Sequence, residues 1–175
     1  MVSNALLDTT VCVVGLGYVG LPLAEAFSRH LRTIGYWRNQ KAADALNATP
    51  GNKIEATTNP AKIKEADFVL IVVPTPVTKA KDPDMEPIKS ASKIVGQNLK
   101  KGAIVVLEST FYPGVTEEIM GPILDLESGM KCSRDFFIGY SPERTNPGDE
   151  EHTLPTIYKI VSGMYKQTLD TLSEL

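Results

Sequence analysis

Six consecutive residues, Gly15-Leu16-Gly17-Tyr18-Val19-Gly20, carry the strongest chemical signal in this sequence. They follow the apolar run Val11-Cys12-Val13-Val14, the composition of a buried parallel strand, and open a stretch in which Leu23, Ala24 and Phe27 share one helical face. The G-x-G-x-x-G spacing suits a dinucleotide. Its glycines allow a tight turn, close approach to a pyrophosphate and packing of a helix on the strand. The helix N-terminus then offers N–H groups and a positive dipole end to the phosphates. Three glycines at this spacing also occur in turns that only pack strand on helix, and that reading stays open at this point.

Three further stretches put polar groups after apolar runs. Pro74-Thr75-Pro76 follows Phe68 to Val73, Glu108-Ser109-Thr110 follows Ala103 to Leu107, and Ser141-Pro142-Glu143-Arg144 follows Phe136 to Tyr140. Ligands of open α/β sheets gather at the carboxyl ends of the strands, so these ends and the glycine turn predict one site on one rim. A carboxylate such as Glu143 beside a cofactor suits a general base, and the planar fork of Arg144 suits a phosphate or carbonyl. The alternatives are structural. Glu143 can cap a turn or pair with Arg144, Arg144 can be solvated, and Ser109-Thr110 can satisfy loop N–H groups before Pro113-Gly114.

The elements that must hold these groups alternate along the chain. Thr33 to Tyr36 reads as a second strand, and Asn39 to Leu46 as a helical stretch with Ala42, Ala45 and Leu46 on one side. Thr49-Pro50-Gly51-Asn52 is a turn by composition, Lys53 to Thr58 a third strand, and Asn59-Pro60 the cap and first position of a short helix to Ala66. The strand from Phe68 must leave the sheet at Pro74, because proline has no N–H for the ladder. From Pro87 to Leu99 the residues Ile88, Ala91, Ile94, Val95 and Leu99 fall on one helical face, which Lys100-Lys101-Gly102 is expected to terminate. Ala103 to Leu107 is a strand, Val115 to Leu126 a helix disturbed by Gly121-Pro122, and Phe136 to Tyr140 and Ile157 to Val161 are further strands. This order predicts an α/β, Rossmann-like, doubly wound and mostly parallel sheet with helices on both faces, residues 1–175 forming one dinucleotide-binding domain.

Composition narrows the partners. With 18 basic and 21 acidic residues mixed along the chain, the net charge of −3 gives no footprint for nucleic acid or anionic lipid. The apolar run from Phe68 to Val73 is too short to span a bilayer, and Met1 to Thr10 lacks the pattern of a signal peptide, so a cytoplasmic chain with a small-molecule partner is expected. Two cysteines without C-x-x-C spacing predict neither zinc nor a disulfide framework; no metal is expected. Cys12 is expected inside the first strand, and Cys132 as an exposed thiol. His30 and His152 are assigned no catalytic part.

Taken together, GLGYVGLPLA, VPTPV, ESTFYPGVTEE and GYSPERTNPG resemble the N-terminal domain of the nucleotide-sugar 6-dehydrogenases, which include UDP-glucose and GDP-mannose dehydrogenases. The form S-P-E-R-x-N-P-G is most similar to the branch acting on UDP-N-acetylhexosamines such as UDP-N-acetylmannosamine. The resemblance implies a nucleotide-sugar substrate whose C6 alcohol is oxidised through an aldehyde to a carboxylate by two NAD⁺, with a cysteine thioester in the second step. It implies a homodimer for the full-length enzyme. By position it assigns Gly15, Gly17 and Gly20 to the pyrophosphate, and Pro74, Thr75 and Pro76 to the cofactor groove; Tyr18, Val19 and Ser109 beside them are also expected to bind the cofactor. It further assigns Thr110 to the nicotinamide and catalytic water, and Glu143 to acid–base work around the thioester; Glu143 and Arg144 are the residues expected at the substrate.

Two features depart from that pattern. Dinucleotide folds of this kind end their second strand with an acid, about 20 residues beyond the glycines, which accepts from the adenosine ribose. That place holds Trp37-Arg38-Asn39. Asn39 can replace one hydrogen bond, whereas Arg38 with Lys41 suits a 2′-phosphate, so NAD is expected and NADP is the alternative. Second, the sequence stops before the place where the family carries its helical spacer, nucleophilic cysteine and nucleotide-sugar-binding domain, and Ala45 to Asn59 is short for the family. Two other readings therefore stand: a dinucleotide-binding module without chemistry, and a two-domain hydroxyacid dehydrogenase, against which S-P-E-R and E-S-T-x-x-P-G argue.

Overall fold

Every residue of β1, Thr10–Val14, is buried, because helices cover both faces of the strand. The computed structural model describes residues 6–142 and 158–175. Cys12 and Val14 point into one core, Val11 and Val13 into the other. The same alternation recurs in β4, Phe68–Ile71, and β5, Ile104–Leu107. The remaining strands are β2 (Arg32–Tyr36), β3 (Ile54–Thr57), β6 (Phe137–Tyr140) and β7 (Ser162–Gly163). They form one sheet in the order β3-β2-β1-β4-β5-β6-β7, parallel throughout except for β7.

Three helices cover one face: α1 (Gly20–Ser28), α2 (Gln40–Asn47) and α5 (Lys166–Glu174), through Leu23, Ala24, Ala43 and Leu172. The other face receives α3 (Glu86–Gln97), α4 (Gly121–Ser128) and the 3₁₀ helix Pro60–Glu65, through Ile88, Val95, Leu124 and Ile63. The expected doubly wound architecture is therefore present. Because β1, β4, β5 and β6 run in parallel, their carboxyl ends share one rim, where the glycine turn, Pro74-Thr75 and Ser109-Thr110 lie.

Several local expectations needed correction. In α2 it is Ala43 that is buried, with Ala42 and Leu46 half-buried and Ala45 exposed, so the inward face is rotated from the expected one. α3 stops at Gln97, before Lys100-Lys101-Gly102; Gly102 has φ +87° in the turn before β5, where its N–H donates to Asp135 O at 2.6 Å. The disturbance at Gly121-Pro122 is a π turn over Thr116–Met120, in which Gly121 N–H reaches back to Thr116 O. That wider turn admits Pro122, which lacks the N–H a regular helix would need. Residues 158–161 are not strand. The chain joins the sheet only at Ser162–Gly163 and runs antiparallel, and Ile157 lies outside the described residues.

Asp135 braces the end of the sheet opposite the rim. Its carboxylate accepts from Lys131 N–H and Arg134 Nε, both at 3.0 Å, and pairs with Lys101 Nζ at 3.2 Å. The Arg134 guanidinium first, then the Lys131 N–H, hold this carboxyl well below the usual carboxylate range. A depressed native pKa stabilises the fold above the unfolded-state value. The contribution is complete above about pH 5, starts to fall near about pH 4, and is gone below the depressed native value. Asp135→Asn is thus expected to lower the melting temperature at pH 7, with a gap to the parent that narrows below about pH 4. Melting curves across that range check it, and a constant gap would contradict it.

Candidate functional site

A cavity of about 930 Å³ opens on the carboxyl rim of the sheet. Its lining comes from the turn after β1 (Gly15 to Gly20), the end of β2 (Tyr36, Trp37, Arg38) and the end of β4 (Val72 to Thr75). Asp84, with Glu86, Pro87, Ser90 and Ala91 of α3, and Glu108, Ser109 and Thr110 beyond β5, complete it. This is the size of a site for a large small molecule, at the place where doubly wound sheets bind dinucleotides.

The three glycines of the turn differ in what they answer to. Gly15 has φ +106°, and a Cβ there would lie 2.2 Å from Val72 O; a Cβ on Gly20 would lie 1.8 Å from Gly15 O. The fold itself demands these two glycines. A Cβ on Gly17 would meet nothing within 4 Å. Since Gly17 lines the cavity, the space its missing side chain leaves free opens into it. Val19, the residue before α1, makes no side-chain cap; Leu21 N–H donates to Gly17 O at 3.0 Å and Pro22 has no N–H, so the first turn of that helix offers an anion the Gly20 N–H and the positive dipole end.

On the opposite side, Ser109 is clasped to β4: its Oγ accepts from Val73 N–H at 2.9 Å and donates to Val73 O at 2.5 Å. That exchange extends the β4–β5 ladder past the strand ends and sets Thr110, which is exposed, at the cavity. Glu108 is 4 % exposed, and its Oε2 accepts from Lys159 Nζ. At the other end of the cavity Arg38 Nη2 donates to Ser90 Oγ, joining the end of β2 to α3. Asp84 Oδ1 accepts at 3.0 Å from Glu86 N–H, the first N–H of α3.

Of the residues expected at the site, Gly15, Gly17, Tyr18, Val19, Gly20, Trp37, Arg38, Pro74, Thr75, Ser109 and Thr110 line this one cavity. Pro76 does not. It is exposed in the following loop, where its carbonyl accepts from Asp84 N–H at 2.8 Å. Glu143, Arg144 and His152 lie outside the described residues. Glu108, expected on the rim with the strand end Glu108-Ser109-Thr110, also lines the cavity, whereas Tyr36 and Ser90 were not expected; Ser90 falls off the apolar face of α3 and left no signal.

Neither described cysteine serves this cavity. Cys12 is fully buried, and burial pushes its thiol up to about 12, only partly offset by a hydrogen bond with the Tyr36 backbone. Cys132 is half-buried rather than exposed, its pKa also raised by burial, and it precedes β6 on the opposite end of the sheet. Among the described residues no group of three or more His, Cys, Asp or Glu side chains is placed to hold a metal. No described helix is long and apolar enough to cross a membrane.

Residues 39–175 match the family model described as the UDP-glucose/GDP-mannose dehydrogenase family, NAD binding domain. The chain belongs to the UDP-glucose/GDP-mannose dehydrogenase family. It is similar to Protein CapL of Staphylococcus aureus (44% identity over 97% of this chain and 43% of that protein). A second relative is the UDP-N-acetyl-D-glucosamine 6-dehydrogenase of Salmonella typhi (42% identity, 96% of this chain and 43% of that protein). Among solved structures it resembles a UDP-D-ManNAc dehydrogenase from Pyrococcus horikoshii, with TM-score 0.83 and 26% identity over 94% of this chain and 43% of that one. The chain thus spans less than half the length of these dehydrogenases.

Proposed function

We propose that this chain is the cofactor-binding half of a nucleotide-sugar 6-dehydrogenase that acts in the cytoplasm, as a homodimer when full-length, on a UDP-N-acetylhexosamine. The observation that carries the reading is Gly17: its Cβ position is empty, unlike those of Gly15 and Gly20, and it faces the cavity beside the start of α1. Identity of 42% to a UDP-N-acetyl-D-glucosamine 6-dehydrogenase supports the substrate class. The glycine turn would hold the pyrophosphate, Trp37 and Arg38 the adenosine, and Pro74, Thr75, Ser109 and Thr110 on the other wall the redox half.

NAD⁺, when bound, accepts hydride from the sugar carbon. The chain's own residues hold and shield that exchange. The Thr110 hydroxyl offers a donor and an acceptor at the edge of the cavity, suited to a carboxamide or a water. Glu143 takes the proton-transfer role that the family resemblance gives it, and Arg144 binds the substrate beside it.

A second reading concerns the cofactor. Trp37 and Arg38 occupy the end of β2, and Arg38 is already directed to the cavity wall at Ser90. A guanidinium in that place tolerates a 2′-phosphate, so NADP is bound alongside NAD with weak discrimination.

Oxidation of an alcohol to a carboxylate through a covalent intermediate needs a nucleophile beside the cofactor. With Cys12 enclosed by the sheet and Cys132 at its far end, neither can form that intermediate, and residues 1–175 alone are expected to form no uronic acid from UDP-N-acetylmannosamine or UDP-N-acetylglucosamine. Turnover is expected once a downstream domain with its own cysteine is supplied. Mass spectrometry of the sugar product checks this, and a uronic acid formed by the 175-residue chain would contradict it.

A further inference from the structure

The buried carboxylate of Glu108 lies in the cavity wall, immediately before the two residues that reach the redox half. Its side chain is 5% exposed, and that of its partner Lys159 27%. A carboxylate this enclosed is costly unless a cation and hydrogen bonds compensate it, and Lys159 Nζ does so from a segment 51 residues further along. The same ammonium also lies 3.4 Å from Ser141 O, at the carboxyl end of β6. Ser141 N–H in turn donates to Leu107 O at 2.9 Å, and Glu108 N–H to Ile71 O at 3.0 Å. Together with the Ser109–Val73 clasp, these bonds tie the carboxyl ends of β4, β5 and β6 to one another and to the chain that leads into β7. None of them touches the glycine turn or the end of β2.

The brace therefore acts on one half of the cavity. We propose that Glu108, held by Lys159, is a positioning residue for the redox half: it fixes Ser109 and Thr110 where the nicotinamide nucleoside docks, and leaves the adenosine half untouched. This rests on the reading of the cavity as a dinucleotide site, with adenosine at Trp37 and Arg38. The consequence is a selective loss. Weakening the brace should cost affinity for NAD⁺ and spare ADP-ribose, which has the same adenosine and pyrophosphate but lacks the nicotinamide.

The test titrates NAD⁺ and ADP-ribose calorimetrically into the full 175-residue chain and its variants. The double variant Glu108→Gln/Lys159→Gln removes the two charges of this pair together, so it is the variant expected to fold. It should lose about tenfold in NAD⁺ affinity, the scale of one or two hydrogen bonds, with ADP-ribose changed less than about twofold. Lys159→Arg, which keeps the cation, should restore the parent ratio. If the double variant melts too early to titrate, Glu108→Asp shortens the reach to Lys159 while keeping the charge, and the same selective loss is expected. An unchanged NAD⁺ to ADP-ribose ratio, or equal loss of both ligands, overturns the proposal and leaves the dinucleotide reading standing. A parent chain that binds neither ligand overturns that reading, and the proposal with it.

Discussion

Gly17→Leu is expected to lower NAD⁺ affinity about a hundredfold, or about 3 kcal/mol, while leaving the melting temperature close to the parent's. Its Cβ would meet no protein atom within 4 Å, so the fold has room for the side chain. The pyrophosphate does not, because the turn must bring backbone within hydrogen-bond reach of it. Gly20→Ala is the counterpart. Its Cβ would stand 1.8 Å from Gly15 O, where backbone cannot yield cheaply, and a loss of about 3 kcal/mol of stability or more is expected. Melting curves with paired titrations separate the two effects. Binding by the Gly17 variant at parent affinity would mean that the turn is a packing device only.

Trp37→Asp is expected to shift the ratio of NAD⁺ to NADP⁺ affinity toward NAD⁺ by about tenfold to a hundredfold. Trp37 is half-buried at the end of β2, with its N–H bonded to Thr57 O at 2.9 Å, so the position is fixed and faces the cavity. A carboxylate there accepts from the ribose hydroxyl and repels a 2′-phosphate, and Arg38 can no longer favour the phosphate unopposed. Titration of both cofactors into parent and variant measures it. A ratio that does not move would remove the end of β2 from the adenosine site.

How far the fold could be read from residues depended on whether the signal was local. β1, β4 and β5 were legible because burial on both faces demands unbroken apolar runs, and Gly15 and Pro74 mark where the chain must turn. The 3₁₀ helix after Asn59-Pro60 was legible from its cap, whose side chain accepts from Ala61 N–H at 3.0 Å. β7 was misplaced because a two-residue antiparallel strand carries no periodicity; what fixes it is pairing with Gly139 and Tyr140. α5 went unnoticed for a similar reason, as it buries only Thr168 and Leu172.

The candidate site divides in the same way. The glycine turn, Pro74-Thr75 and Ser109-Thr110 are contiguous polar or glycine-rich strand ends and could be found by position. Ser90 and the Glu108–Lys159 pair depend on distant parts of the chain meeting, which no spacing records. The extent to which α2 was misjudged has a plain cause: three alanines in Ala42, Ala43 and Ala45 give no contrast by which a short helix shows its buried face.

The most direct test is calorimetric titration of NAD⁺ into the 175-residue chain, with NADP⁺ in parallel. A saturable isotherm with one site per chain, weakened about a hundredfold in Gly17→Leu at unchanged fold, is the predicted result. Absence of binding by both cofactors to a folded parent chain would contradict the assignment of the cavity.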